Sequence, residues 1–349
     1  MGHAQRQLGV KVVGVSHEYF MKSRDRSRVV ASAEIKHRIV VKVLGFHNHV
    51  PGPSGAAAST RSTVRVDFGS YLAILQAATM VNTIRLVSTD FDGTLFAEFE
   101  NPPIPRDLQL LIARLQSQGV KWVINTGRDM SSLMEVMGRA KLEIKPDFLV
   151  LVEREIYLHE GSRYVPLDEW NDRCHSEHAR LFGSVHSEMP RLIEWIEARY
   201  DATLYEDPWS PLCLIARNNQ DAEEIVAFLD TFAATVPHLT VVRNDVYARF
   251  SHDAFNKGTA LDEIARRLGI GPECIFAAGD HLNDLPMLRR QHAHWLAAPA
   301  NAIPQVREAI ESQHGYLSHQ PCGRGVARAL EFFLEAGDPR IERPTTAPS

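Results

Sequence analysis

The chain is poor in the features that would commit it to a membrane, a disulfide framework or a zinc module. Its 349 residues hold four cysteines, Cys174, Cys213, Cys274 and Cys322, far apart and in no C-x-x-C pair. That spacing excludes a disulfide scaffold and a cysteine-based zinc site, and it fits reduced thiols in a cytoplasmic protein. No apolar run approaches the ~18 residues of a membrane span. The N-terminus lacks the compact apolar block and small-residue cleavage site of a secretory signal. None of the sixteen histidines falls in an H-E-x-x-H arrangement, and His292 and His294 have no acidic or cysteine neighbour that would make them a metal site. What remains is ordinary soluble composition, 44% hydrophobic and 23% charged, in a chain long enough for two domains.

Charge divides the chain. Residues 1–79 contain eleven Lys/Arg against four Asp/Glu, a net of +7, which leaves −12 for residues 80–349. This basic stretch includes Lys22-Ser-Arg-Asp-Arg-Ser-Arg28 and a linker-like Pro51-Gly-Pro-Ser-Gly-Ala-Ala-Ala-Ser-Thr60, with no sustained period of either kind. It reads as an upstream extension before a functional unit that opens at Met80; a basic arm and an Arg- and Ser-bearing transit segment are the alternatives. The tail 337–349 reads as disordered.

From Met80 onward the pattern is α/β. A short apolar strand, Ile84–Thr89, runs into Asp90; Leu108, Leu111, Ile112 and Leu115 recur at helical spacing before Gly119; Val120–Asn125 is a second strand, followed by a helix over 129–139 and a third strand over 148–152. The alternation resumes with a helix over 257–268, a strand over 274–278 and a helix over 283–290. Short connections between alternating strands and helices predict a Rossmann-like parallel sheet with right-handed crossovers. Residues 153–247 carry helices over 187–199 and 221–234 and strands over 212–216 and 239–243. They read as an α+β cap domain inserted into a core made of 80–152 and 248–336. Trp122, Trp195, Phe228 and Phe232 fall at core spacing and are assigned packing.

Parallel sheets bind ligands beyond the carboxyl ends of their strands, and three polar clusters fall there: Asp90-Phe-Asp92-Gly-Thr94, Thr126-Gly127-Arg128 and Gly279-Asp280-His-Leu-Asn283-Asp284. Lys257 opens a helix in the same half. Clustered carboxylates repel and are tolerable mainly around a hard cation such as Mg²⁺. A cation also lets an anionic nucleophile approach a phosphate. Asp90 is then the nucleophile, and Asp92 the acid that protonates the leaving alkoxide and the base that activates water. Thr126, Lys257 and neighbouring backbone amides hold the phosphoryl oxygens, with Gly127, Arg128 and Asn283 as further substrate contacts.

These four motifs, in this order, resemble the haloacid dehalogenase superfamily over residues 84–335. The resemblance implies Asp90 as nucleophile, Asp92 as acid/base, Asp280 as direct metal ligand supported by Asp284 and Asn283, and the Asp92 carbonyl as a further ligand. The metal set is therefore Asp90, Asp92, Asp280 and Asp284 around Mg²⁺. Placement of the insertion between Thr126 and Lys257, together with Asn256-Lys-Gly-Thr-Ala-Leu261 and Gly315-Tyr-Leu…Gly325-Val-Ala327, resembles the subgroup of Cof-type sugar phosphatases, sucrose-phosphate phosphatase and phosphomannomutase.

That subgroup often has Asn-Gly where the chain enters the cap; here Val152-Glu-Arg-Glu-Ile156 stands instead. Glu153 and Arg154 either face the substrate or replace a turn. Glu206-Asp207-Pro-Trp209 is either a sugar contact or a surface loop with a half-buried indole. The expected partner is a small phosphorylated metabolite, a sugar phosphate by analogy, and the expected assembly a monomer or small homo-oligomer. Neither membrane nor nucleic acid is expected as a partner. A phosphomutase using the same site, and a non-catalytic protein binding a partner through the basic arm, are the rival readings.

Overall fold

The computed structural model describes residues 84–336; the basic stretch 1–79 and the tail 337–349 lie outside them. An eight-stranded sheet runs β12-β11-β10-β1-β2-β3-β4-β5. Its parallel part is built from β1 (Leu86–Thr89), β2 (Lys121–Asn125), β3 (Phe148–Leu151), β10 (Ile275–Ala278), β11 (Trp295–Ala298) and β12 (Tyr316–Leu317). Strands covered on both faces by helices are buried along their length and mostly apolar, and β1, β3 and β10 are buried at every residue. The two faces still separate by period two. Val87, Trp122, Ile124, Leu149, Leu151 and Phe276 enter one core with α1 (Arg106–Ser117), α2 (Met130–Arg139) and α8 (Cys322–Ala336). Leu86, Val123, Phe148, Val150 and Ile275 enter the other with α6 (Lys257–Leu268) and α7 (Pro304–Ser312). Trp122, fully buried, donates its indole N–H to Thr89 Oγ1 at 3.2 Å and so fastens β2 to β1. Removing such a ring from a core costs about 3–5 kcal/mol.

The sheet continues antiparallel through β4 (Glu155–Glu160) and β5 (Arg163–Pro166). A second, four-stranded antiparallel sheet runs β6-β7-β9-β8, from β6 (Ala202–Asp207), β7 (Ser210–Ala216), β8 (Leu239–Asn244) and β9 (Tyr247–His252). Its helix-covered face packs Leu212, Leu214, Ala248 and Phe250 against α4 (Met189–Glu197), α5 (Asn219–Ala233) and the end of α3 (Asp168–Val185). The pairings of the stretch read as an insertion, 153–247, divide between the two sheets. Residues 155–166 hydrogen-bond into the first sheet, and the second sheet closes only at His252.

Two other expectations need correction. No helix spans 283–290: a single 3₁₀ turn over Leu282–Asp284 is followed by turns. Pro286 has no N–H to give a helix, and the Asp284 carboxylate holds the backbone N–H groups of Asp280 and His281 instead. Helix α3 lacks an apolar stripe to announce it, because its buried residues are Trp170, Asn171, Cys174, His178, Leu181 and Val185. The spacing is helical, but three of these six positions are asparagine, cysteine and histidine.

His178 is the ionisable polar member of that stripe. It sits between Cys174 O (2.8 Å) and the backbone N–H of His252 (3.2 Å), and burial pushes its pKa down to about 3. A histidine with a depressed folded pKa contributes stability that is full above its unfolded pKa of ~6.5 and is lost as pH falls toward the folded value. Melting temperatures from pH 7 to pH 4 should therefore fall more steeply for the wild type than for His178→Gln. Parallel profiles would refute the assignment.

Candidate active site

From β1 the chain goes to β2 on one side of the sheet, and from β10 to β11 on the other. The loops leaving β1 and β10 therefore diverge and open a crevice at the strand ends. Asp90 follows β1, with its N–H on Ala278 O at 2.9 Å, and Asp280 and Asp284 follow β10. Lys257 is delivered by the start of α6, where the Asn256 side chain accepts the N–H groups of Gly258 and Thr259 and Thr259 Oγ1 accepts that of Asn256. An ammonium at a helix N-terminus opposes the helix dipole, so this lysine needs carboxylates.

It has two. Lys257 Nζ donates to Asp90 Oδ1 and to Asp284 Oδ1, each at 2.6 Å, and Lys257 and Asp284 are wholly buried. Thr94 Oγ1 donates to Asp280 Oδ1 at 2.7 Å. Carboxylate oxygens of Asp90, Asp280 and Asp284 all lie within 4.8 Å of one another. Gly93 makes the approach feasible: its φ is +74°, and a Cβ there would lie 2.4 Å from Asp280 Oδ2. Asn301, which sequence reading did not single out, ties the two loops by donating to Gly93 O at 2.8 Å and to Asp280 Oδ2 at 3.4 Å.

The charges do not balance: three carboxylates face one ammonium. Burial, then Asp284, pushes the Asp90 carboxyl well above its ordinary range despite Lys257. Burial and Asp284 likewise push Asp280 up to about 7. Burial opposes the Lys257 charge, and Asp284 and Asp90 outweigh it, so its pKa rises. A compact set of hard oxygen donors with two surplus negative charges fits a divalent cation held by Asp90, Asp280 and Asp284.

The remaining expected residues form two groups beside this centre. Asp92 points its carboxylate outward, 39% exposed, into a bidentate pair with Arg128, both contacts 2.7 Å. It is not part of the three-carboxylate cluster. Thr126 is buried at the end of β2, its Oγ1 accepting the Arg128 N–H at 3.2 Å. On the other side, Asn283 Nδ2 donates to Glu153 Oε1 at 2.8 Å, and a Cβ on Gly127 would lie 3.3 Å from the same oxygen.

Glu153 and Arg154 do more than replace a turn. Val152 and Glu153 both have positive φ, +44° and +69°, a conformation that costs a non-glycine residue about 1–2 kcal/mol. Arg249 on β9 holds the turn, donating to Val152 O at 2.7 Å and Glu153 Oε2 at 3.0 Å. Burial would raise the Glu153 carboxyl, but Arg249, Lys257 and Asn283 keep it below its ordinary range. Arg154 donates to Trp209 O at 2.6 Å, and Trp209 Nε1 donates to Glu155 Oε1 at 2.9 Å. Trp209 thus touches the first sheet, Asp207 accepts the Trp209 N–H at 2.8 Å, and Glu206 is exposed.

The surplus charge generates a test. A carboxyl whose folded pKa is raised contributes stability that is full below its unfolded pKa of ~3.9 and is lost as pH rises through the folded value. For Asp280 that window ends near 7. A divalent cation should therefore stabilise the protein more at pH 8 than at pH 5, read as the difference in melting temperature with and without chelator. A difference that shrinks with rising pH would exclude a cation among these carboxylates.

The profile of the sucrose-6F-phosphate phosphohydrolase family matches residues 83–334. The 5-amino-6-(5-phospho-D-ribitylamino)uracil phosphatase of Bacillus subtilis (strain 168) is 24% identical over 265 residues, 72% of this chain and 96% of its own length. The phosphoglycolate phosphatase of Methanopyrus kandleri is 26% identical over 257 residues, 72% of this chain and 98% of its own. Among solved structures, the sucrose-phosphatase of Synechocystis sp. PCC6803, in complex with sucrose and phosphate, shares the fold at a TM-score of 0.55 and 18% identity, over 72% of this chain and 98% of that one. The chain belongs to the sucrose-6F-phosphate phosphohydrolase family, within the haloacid dehalogenase superfamily, and is a phosphatase.

Proposed function

We propose that the chain is a Mg²⁺-dependent phosphatase that hydrolyses a small sugar phosphate through an aspartyl-phosphate on Asp90. The observation that carries this reading is Lys257, buried and shared between Asp90 and Asp284 beside Asp280. Three buried carboxylates around one ammonium make an anionic crevice that a cation would make fit for phosphate. When bound, Mg²⁺ neutralises phosphoryl charge; Asp90, Asp280, Asp284 and the Asp92 carbonyl are the proposed ligands.

The chain's own groups do the rest. An Asp90 carboxylate oxygen forms a bond to phosphorus as the bond from phosphorus to the leaving oxygen breaks. Protonated Asp92 gives that oxygen its proton. Asp92, now ionised, takes a proton from water, whose oxygen displaces Asp90 from phosphorus and releases inorganic phosphate. Lys257, Thr126 and the amides of Gly127 and Arg128 orient the phosphoryl oxygens. Asp92 begins paired to Arg128, so an incoming phosphate that recruits Arg128 would free Asp92 for proton transfer.

The leaving group faces the helix-free side of the second sheet. Ala248 and Phe250 pack toward the helices, which leaves Tyr247 and Arg249 on the other side by strand alternation. Tyr205 and Asp207 lie close to Arg249 on that side, and phenol and carboxylate groups suit sugar hydroxyls. The named phosphatase relatives act on different leaving groups, consistent with specificity residing in this cap face.

The experiment is phosphate release from a panel of sugar phosphates, phosphoglycolate and an aryl phosphate, with Mg²⁺ and with chelator. Turnover should need Mg²⁺ and fall by roughly 10⁴-fold or more in Asp90→Asn. Asp92→Asn should lose about 10²–10⁴-fold and accumulate phosphorylated enzyme that hydroxylamine cleaves. Metal-independent turnover, or full activity in Asp90→Asn, would overturn the mechanism. A best substrate without a sugar would overturn the substrate class alone.

A further inference from the structure

A second group of metal-ligating side chains lies away from the strand-end crevice. Hairpin β8–β9 pairs Leu239 with His252. The next residues outward, His238 and Asp253, therefore face each other, and the Asp253 N–H donates to His238 O at 3.0 Å. His238 Nδ1 lies 3.1 Å from Asp253 Oδ1, and His252 Nδ1 lies 3.3 Å from the same oxygen. The two imidazoles stack 13° from parallel with centroids 5.1 Å apart. Ligand atoms of all three residues lie within 4.8 Å of one another.

We propose that His238, His252 and Asp253 form a second divalent-metal site, of the zinc class, where the chain leaves the cap for the core. Ligands at the ~2.0–2.1 Å zinc distances of a tetrahedral site lie about 3.3–3.4 Å apart. The two contacts at 3.1 and 3.3 Å are edges of nearly that length. Two nitrogens and one carboxylate oxygen are a borderline donor set, preferred by Zn²⁺ and not by Mg²⁺. His238 and Asp253 are more than half exposed while His252 is buried, so the solvent side leaves a fourth position for water.

Protons do not satisfy this group by themselves. His252 Nδ1 also accepts the Ala254 N–H at 3.2 Å, so it carries no proton there and meets the Asp253 carboxylate as one acceptor meets another. A cation that took the Nδ1 lone pair in place of the Ala254 N–H would turn that contact into attraction. The nearby charges of α3, Glu177 and Arg180, pair with each other. Asp253 O also accepts from the side chain of Asn256, the cap of α6. An ion here would tie the end of the second sheet to the segment that delivers Lys257.

The test uses the full-length protein with excess Mg²⁺, titrated with Zn²⁺ by calorimetry and with Co²⁺ by visible absorption. One Zn²⁺ per chain should bind beside Mg²⁺, and Co²⁺ should give the intense spectrum of a tetrahedral site. His238→Ala and Asp253→Asn, both at exposed positions, should fold and keep Mg²⁺-supported phosphatase activity. Each should weaken Zn²⁺ binding by at least the ~10–100-fold that losing a supporting partner costs, and abolish the Co²⁺ spectrum. Equal Zn²⁺ affinity in the wild type and both variants would overturn the proposal. So would Zn²⁺ binding that survives both variants and is lost in Asp280→Asn, because the ion would then sit among the active-site carboxylates.

Discussion

One buried ammonium organises this molecule. Lys257 has no exposed surface and spends its charge on two carboxylates, one from the loop after β1 and one from the loop after β10. Those loops diverge at the switch in strand order and would otherwise repel each other. Breaking a buried pair of this kind typically costs about 3–5 kcal/mol, because the partner is left charged and uncompensated. Here two partners would be left. The helix start that carries Lys257 is fixed accordingly, by the reciprocal Asn256–Thr259 cap and by Asn125 Nδ2 on Lys257 O at 2.9 Å. The lysine tempers the negative charge without cancelling it, and that remaining charge is what the proposed cation, and through it a phosphate, would answer.

The second sheet is coupled to this centre through a strained turn. A β-branched Val152 and the following Glu153 adopt left-handed backbone where Asn-Gly would sit without cost. Three contacts hold them there: Val152 N–H on Arg128 O, Glu153 N–H on Thr126 O, and Arg249 on Val152 O. Strain of this kind persists when its surroundings over-determine it. The side chain at 153 reaches both Asn283 in the β10 loop and Arg249 on the second sheet. A glycine would relax the backbone and sever that link.

The catalytic half was legible because its chemistry is local. Asp90, Thr126, Asp280 and Asp284 each end or follow a short buried strand, and Lys257 opens a helix with a strong cap, so motif and element could be read together. The inserted half was less legible. Helix α3 hides its stripe in Trp170, Cys174 and His178, and the 283–290 segment has helical composition broken by Pro286. Antiparallel strand β4 joins the first sheet by pairing with β3, and β5 by pairing with β4, contacts that no local pattern announces. The same holds for Arg249, Asn301 and the histidines at 238 and 252, whose partners are set by hairpin register and loop packing.

Asp92 joins sequence and structure least directly. Its carboxylate is held in two 2.7 Å contacts by Arg128, part-exposed and outside the three-carboxylate cluster. A bidentate guanidinium fixes the direction of a carboxylate, so on the proposed mechanism Asp92 must leave this pair before it can transfer a proton. The pair therefore serves as a resting position. Arg128 sits one residue after Gly127 at the end of β2, where a bound phosphoryl group would compete with Asp92 for the same guanidinium. Exchange of one anion for the other would couple substrate binding to release of the acid.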